Sequence, residues 1–208
     1  MTRTALPPDL RRRLRVKRAF DLLSSAAALT VSAPVLVLTS VVIKIEDRGP
    51  VFFTQTRVGQ DEHDFRILKF RSMIVDADRF LDADGNPTRE RVTRVGRVLR
   101  KFSIDELPQL WNILRGDMSL VGPRPVPRSL MERMTPDQRQ RFATPPGLTG
   151  LAQVVGRHSL TWSERIALDL EYVSTVSVIN DLKIVLRTPR ALLGSNARID
   201  RKASNDDL

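Results

Sequence analysis

The chain has 208 residues, 41% hydrophobic and 28% charged; that is enough to bury a core, and too apolar for a disordered chain. Its formal net charge of +10 directs it toward anions: nucleic acid, an acidic membrane or a phosphorylated substrate. It contains no cysteine, which excludes disulfides, thiol catalysis and cysteine-ligated zinc or iron–sulfur centres.

In chain order, the first feature is a basic arm over residues 1–18, ending in "RRRLRVKR" with six cations. An uncharged stretch of 22 residues follows, from Leu22 to Ile43, and Lys44 and Arg48 close it. That length fits a membrane element over 19–46 better than a signal peptide or a core helix. Pro34 near its middle removes an amide donor and kinks or breaks a helix. Two readings stand side by side. One is a kinked spanning helix, which membranes tolerate. The other is a hairpin of two limbs of about 11 residues, roughly 17 Å each, so that each limb suits one leaflet of a hydrocarbon core roughly 30 Å thick. Cations on both flanks agree with two cytoplasmic ends. Ser24, Ser25, Thr30, Ser32 and Thr39 are available to bond carbonyls near a break.

After the membrane element, "VFFTQTRV" and "FRILKFRSM" alternate like strands around the turn residues "VGQDEHD", which predicts a β-hairpin. Residues 76–90, with Asp-Gly and Asn-Pro, predict a surface loop whose acidic spacing is wrong for a calcium loop. Helices are predicted over 105–115, 129–142, 161–174 and 179–193, the last with Leu182, Val185, Leu186, Leu192 and Leu193 on one apolar side. Pro189 argues against a straight helix there. "TPPGLTGLAQVVGR" (144–157) predicts a long structured loop, and 195–208 a flexible tail. The expected fold is an irregular, helix-rich α/β domain over 47–194 with a small β-hairpin and little sheet, behind the membrane helix.

The chemistry centres on "FSIDELPQLWNILRGDMSLVGPRP", residues 102–125. Ser103 and Glu106 match a capping box. Pro108 weakens that reading, because proline prefers the first helical position and so starts the helix beyond the two acids. Asp105 and Glu106 then face a helix N-terminus, whose field favours an ionised Asp105. An ionised aspartate can act as a nucleophile on phosphorus, and a neighbouring glutamate can hold magnesium. Lys69 and Arg71 in the second strand, Arg97, Arg100 and Lys101 before the dyad, and Arg124 between two prolines are candidate phosphate ligands. Taken as a nucleic-acid surface, the same cations lack a DNA-binding motif, and aromatic residues at 5% offer few stacking platforms. His63 and His158 lack metal-ligand spacing and read as loop residues. Trp111 and Trp162 fit a core or a lipid interface, and Asp169 and Glu171 an exposed helix face.

The ordered blocks "KRAFDLL", "GPVFFTQTRVG", "FRILKFRSM", "SIDELPQLWNILRGDMSLVGPRP", "PPGLTGLAQVVGR" and "DLEYVSTVSVINDLKIVLRT" resemble the bacterial sugar transferases, monotopic phosphoglycosyl transferases that start glycan assembly on a polyprenyl phosphate. The resemblance runs from about residue 17 to 193 and is closest to the minimal catalytic form. It implies a two-step reaction on the cytoplasmic face of the bacterial inner membrane. Asp105 attacks the β-phosphate of a UDP-sugar and UMP leaves; undecaprenyl phosphate or a relative then takes the phosphosugar. By the same resemblance Glu106 ligates Mg2+, Lys69 and Arg100 lie near the phosphates, Pro123 and Arg124 belong to a nucleotide-associated element, and Pro34 marks a re-entrant break. The family often has Ser-Pro there, where this chain has Ala33-Pro34 with Ser32 before it. The resemblance places UDP-sugar, polyprenyl phosphate and the bilayer as partners and no nucleic acid, and leaves open the sugar, the prenyl length, the pathway and a homo-oligomer.

Overall fold

The computed structural model describes residues 8–75, 77, 91–156 and 159–194. The predicted loop 76–90 (apart from residue 77), His158 and the predicted tail 195–208 lie outside the described residues.

Helix α1 (Pro8–Asp47) is helical over 40 residues and runs through Pro34, so the two-limb hairpin broken at Pro34 does not appear as a break in the helix. The basic run is therefore the first part of this helix, where the sequence predicted a separate arm. Ser25, Thr30 and Ser32 donate to the carbonyls of Asp21, Ala26 and Leu29, one turn back. Leu23, Val31, Val37 and Leu38 are among its exposed apolar residues.

One side of α1 nevertheless rests on the domain at both ends. Near its start, Lys17 bonds Asp181, Asp21 accepts from Ser119 Oγ and Leu120 N, and Arg18 Nη2 donates to the Leu114 carbonyl at 2.7 Å. Near its end, Asp47 pairs with Arg71, Glu46 accepts from Val95 N, and Ile43 is buried with Phe70 and Leu99. Between them, Ala28 and Leu29 pack on the cluster of Ile67, Leu110, Ile113 and Met118.

The predicted hairpin is present. Strands β1 (Phe52–Val58) and β2 (Asp64–Phe70) pair antiparallel with Phe52 opposite Phe70 and Val58 opposite Asp64. His63 lies in the connecting loop, its Nδ1 3.1 Å from the Asp61 carbonyl. Residues 94–101 form α2 (Arg94–Lys101), capped by Thr93. Helix α3 (Gln109–Arg115) is shorter than the predicted 105–115: it starts one residue after Pro108 and ends at Gly116, whose φ of 96° is the left-handed geometry that favours glycine at a helix end.

A second small sheet was not predicted. β3 (Ser119–Val121) pairs parallel with β4 (Gly147–Thr149), which lies in the stretch expected to be loop, as does α6 (Leu151–Val155). Three-residue strands give too short an alternation to read in sequence. The backbones here touch: a Cβ on Gly147 would lie 2.0 Å from Gly122 N.

The predicted helix 129–142 is split into α4 (Arg128–Glu132), α5 (Pro136–Arg139) and a 3-10 turn Gln140–Ala143. Thr135 caps α5 with Pro136 at its first position, a start signal that interrupts the longer helix. Helix α7 (Trp162–Ser174) begins with a Thr161–Glu164 capping box, and α8 (Val178–Gly194) passes through Pro189. Of the apolar side predicted for α8, Val185 packs on the core of Val121, Tyr172, Val176 and Ile184. Leu182 and Leu186 are instead exposed together with Ile179, while Asp181 and Ile184 are buried.

Candidate active site

Asp105 and Glu106 lie on a 3-10 turn, Ile104–Glu106, between α2 and α3. Ser103 precedes them at φ 55°, ψ 25°, and its side chain makes no capping bond. The capping box that Pro108 argued against is therefore absent. A non-glycine residue in the left-handed region costs of order 1 kcal/mol, and such residues cluster at functional sites. The turn continues into the helix through Leu110 N to Leu107 O and Trp111 N to Pro108 O. Proline at position 108 thus closes the turn and opens α3, leaving both carboxylates ahead of the helix.

The two acids have different surroundings. Glu106 Oε1 accepts from Lys69 Nζ at 2.8 Å and from Arg124 Nη2 at 2.7 Å. Burial alone would raise the Glu106 carboxyl; the charges of Arg124 and Lys69, with their hydrogen bonds, outweigh it and hold it down at about 2. Asp105 is 9% exposed. Burial, reinforced by the charge of Glu106, pushes its carboxyl up, against the opposing charges of Lys69 and Arg100. The expected helix-field effect on Asp105 is thus overridden by desolvation. A more basic carboxylate is also a better nucleophile once ionised.

Each cation is set by its own element. Lys69 is on β2, next to Leu68. Asn112 of α3 bonds the same strand, accepting from Leu68 N at 2.9 Å and donating to the Arg66 carbonyl at 2.8 Å, and so fixes the helix that follows the dyad against the strand that carries Lys69. Arg100, near the end of α2, donates to Ser72 Oγ at 2.8 Å, and its charge is felt by Asp105. Pro123 accepts from Gly147 N at 2.9 Å, which places Arg124 at the end of β3. The structure therefore brings Asp105, Glu106, Lys69, Arg100, Pro123 and Arg124 into one locality. It does not bring the other predicted cations there. Arg71 is 8% exposed and pairs with Asp47, Arg97 Nη1 bonds the Val92 carbonyl, and Lys101 lies over the Phe102 ring.

Pro34 is on α1, away from this cluster in sequence, but α1 reaches the site through an apolar groove. Leu29, Leu36, Phe52, Leu68, Phe70, Pro108 and Trp111 line a cavity of about 320 Å³. Trp111 is 53% exposed and Phe52 49%. Trp162 instead packs on the core of Val58, Val126 and Ile166.

Several polar residues of the site's frame were missed in sequence. Asp169, predicted on an exposed face, is 3% exposed and bonded to buried Arg141. Its signal was available: Ile166, Asp169 and Tyr172 share the buried side of α7 at helical spacing. Glu171 is exposed as predicted. Lys17, Asp21, Tyr172 and Asp181 form a buried network that no local pattern announces.

As to metal, no group of three or more His, Cys, Asp or Glu side chains is placed to hold an ion among the described residues. The acid that the family resemblance assigns to magnesium, Glu106, has its Oε1 engaged by Lys69 and Arg124; magnesium bound through one carboxylate completes its shell with substrate phosphates and water.

Comparison with known proteins identifies the family. The model of the family described as "Bacterial sugar transferase" matches residues 12–195. The chain is 46% identical over 185 residues to the UDP-glucose:undecaprenyl-phosphate glucose-1-phosphate transferase of Caulobacter vibrioides, covering 85% of this chain and 69% of that protein. It is 41% identical over 182 residues to the uncharacterized sugar transferase EpsL of Bacillus subtilis, covering 86% and 88%. A UDP-N-acetylgalactosamine-undecaprenyl-phosphate N-acetylgalactosaminephosphotransferase of Aeromonas hydrophila is 41% identical over 190 residues, covering 88% of this chain and 45% of that protein. With a match across nearly the whole length that includes α1, the acid pair and the buried frame behind it, the chain belongs to the bacterial sugar transferase family.

Proposed function

We propose that this enzyme moves a sugar-1-phosphate from a UDP-sugar to undecaprenyl phosphate or a similar polyprenyl phosphate, as a first membrane step of exopolysaccharide or related glycoconjugate assembly. The observation that carries the reading is the division between the two acids. Asp105 is desolvated and made more basic, and Glu106 is held ionised by Lys69 and Arg124.

In the first step a carboxylate oxygen of Asp105 attacks the β-phosphorus of the UDP-sugar. The bond from that phosphorus to the bridging oxygen of the α-phosphate breaks, and UMP leaves with the electron pair. Asp105 then carries the phosphosugar as an acyl phosphate. In the second step a phosphate oxygen of the polyprenyl phosphate attacks the same phosphorus, and the Asp105 oxygen leaves as carboxylate. Neither step needs a proton transfer. Lys69, Arg100 and Arg124 supply positive charge for oxygens that gain charge in an in-line transfer. Glu106 and substrate phosphates would hold Mg2+, which shields phosphate charge.

The proposed membrane arrangement draws its support from α1. Both ends of α1 and one side of its middle rest on the same domain, while Leu23, Val31, Val37 and Leu38 on its other side are exposed. A helix that crosses a bilayer separates its ends by the hydrocarbon core, roughly 30 Å. Docking at both ends supports a monotopic, re-entrant insertion around Pro34, with the domain on the cytoplasmic face of the inner membrane where nucleotide sugars are present. The apolar groove between α1 and Pro108 is open to the first prenyl units of the acceptor, next to the dyad.

Purified enzyme given a panel of UDP-sugars with Mg2+ should release UMP from one or a few of them. Mass spectrometry should find the phosphosugar on the peptide containing Asp105. Asp105→Asn should lose both signals; a variant with full turnover refutes the assignment of the nucleophile.

A further inference from the structure

Arg124 reaches Glu106 from a segment, "GPRPVP", that has little means of fixing itself. Pro123, Pro125 and Pro127 have no amide donor, and the Arg124 side chain is 44% exposed. A long, half-exposed side chain keeps one rotamer only if its backbone is fixed. The carbonyls on either side are held by the two sheets: Pro123 O accepts from Gly147 N, and Val126 O from Val58 N, each at 2.9 Å. The Arg124 carbonyl itself accepts from a side chain, Arg141 Nη2, at 2.9 Å.

Arg141 is an unusual choice for that task. It is 1% exposed, on the 3-10 turn after α5. Its Nε and Nη2 both donate to Asp169 Oδ2, at 3.0 and 2.7 Å, and Asp169 is 3% exposed on α7. Its guanidinium lies 5.4 Å from the Phe142 ring. Arg141 and Thr144 also border a cavity of about 10 Å³ lined by Pro123, Arg124 and Pro125, and Arg141 Nη1 and Thr144 Oγ1 have no protein partner among the described residues. That volume is about one water molecule's worth of space.

A buried ion pair adds little net stability, because desolvation offsets the attraction; apolar residues of the same size usually do as well. What the pair supplies is fixed geometry, since the planar guanidinium can hold Asp169 and the Arg124 carbonyl at once. We propose that Arg141, oriented by Asp169, is a positioning residue that fixes the Arg124 backbone and so holds the Arg124 guanidinium on Glu106 and the incoming phosphates. The inference rests on the phosphotransfer reading for its kinetic arm alone.

The test combines Arg141→Lys, which keeps the charge but not the fork, with Arg124→Ala in a double-mutant cycle read as kcat/KM for UMP release. Arg141→Lys alone should lower kcat/KM about tenfold or more. In the Arg124→Ala background it should change kcat/KM less than about twofold. Losses that multiply in the double variant, or wild-type kcat/KM in Arg141→Lys, would overturn the proposal. Amide hydrogen exchange supplies a second readout that needs no turnover. Peptides over 122–128 should exchange faster in Arg141→Lys, while those of α3 stay unchanged; unchanged exchange over 122–128 also overturns it. If the wild type releases no UMP from any UDP-sugar, the phosphotransfer reading fails and exchange alone decides the positioning. Should Arg141→Lys not fold, Asp169→Asn takes its place in both arms. If neither folds, the pair supports the whole domain rather than the Arg124 loop, and the proposal fails.

Discussion

Replacing Lys17 by Met probes the joint between the membrane helix and the domain. Lys17 Nζ lies 2.5 Å from Asp181 Oδ2 and 3.7 Å from Asp21 Oδ1; the Lys17 and Asp181 side chains are 1% and 0% exposed. Tyr172 OH donates to Asp181 Oδ1 at 2.8 Å. Methionine keeps most of the stem and removes the ammonium, which leaves two carboxylates in one dry space without their cation. Removing one partner of a buried pair costs about 3–5 kcal/mol. The cost has a ceiling, because Asp181 can bind a proton instead of remaining charged. Burial already pushes the Asp181 carboxyl up, with Lys17 opposing; without Lys17 it rises further. A carboxyl raised in the folded state contributes stability that is fully present below its unfolded value, 3.8, and is lost as pH rises through the folded value. The variant's deficit should therefore be larger at pH 8 than at pH 5. Urea unfolding in detergent micelles, followed by the fluorescence of Trp111 and Trp162, measures it at both pH values. Lys17→Met/Asp181→Asn should recover much of the loss. A deficit below about 1 kcal/mol at pH 8, against the figure for a broken buried pair, or one independent of pH, would refute this account of how α1 is held.

Ser103→Ala should cost well under the ~1 kcal/mol typical of a lost N-cap, since its side chain caps nothing, whereas Thr161→Ala should cost about that much; thermal unfolding compares the two. Ser103→Gly should raise the unfolding temperature slightly by relieving a positive φ, and a lower temperature would argue that the turn is not strained. Trp111→Ala should leave single-turnover UMP release within about twofold while raising the KM for polyprenyl phosphate about tenfold, as expected for roughly 1–2 kcal/mol of lost apolar contact; equal loss in both half-reactions would count against the groove as the prenyl site. In the cysteine-free chain, Arg12→Cys and Gln55→Cys should both react with a membrane-impermeant maleimide from the same side of inverted vesicles; reaction from opposite sides would eliminate the re-entrant insertion.

The dyad shows how far sequence carries the site and where it stops. Pro108 alone placed the helix start beyond Asp105 and Glu106, because a proline lacks the donor an interior position needs. The same local reasoning also offered a capping box at Ser103, and that is absent: Ser103 stands in the left-handed region, outside the extended backbone an N-cap takes, and its side chain makes no capping bond. Local fields predicted an ionised Asp105, yet burial reverses the direction, and burial belongs to the assembled fold.

By itself the sequence determined the long apolar element, the hairpin of β1 and β2, helix α7, and the residue types a phosphoryl site needs. These rest on period, length and turn chemistry within short windows. The tertiary structure alone decided which cations meet. Lys69 and Arg124, 37 and 18 residues from Glu106, converge on one oxygen, while Arg71 turns to Asp47. It alone decided that Asp169 is buried on Arg141 and Asp181 on Lys17. Charge in a sequence is silent about burial; only the pairing of distant elements removes the water and makes a charged side chain a structural partner.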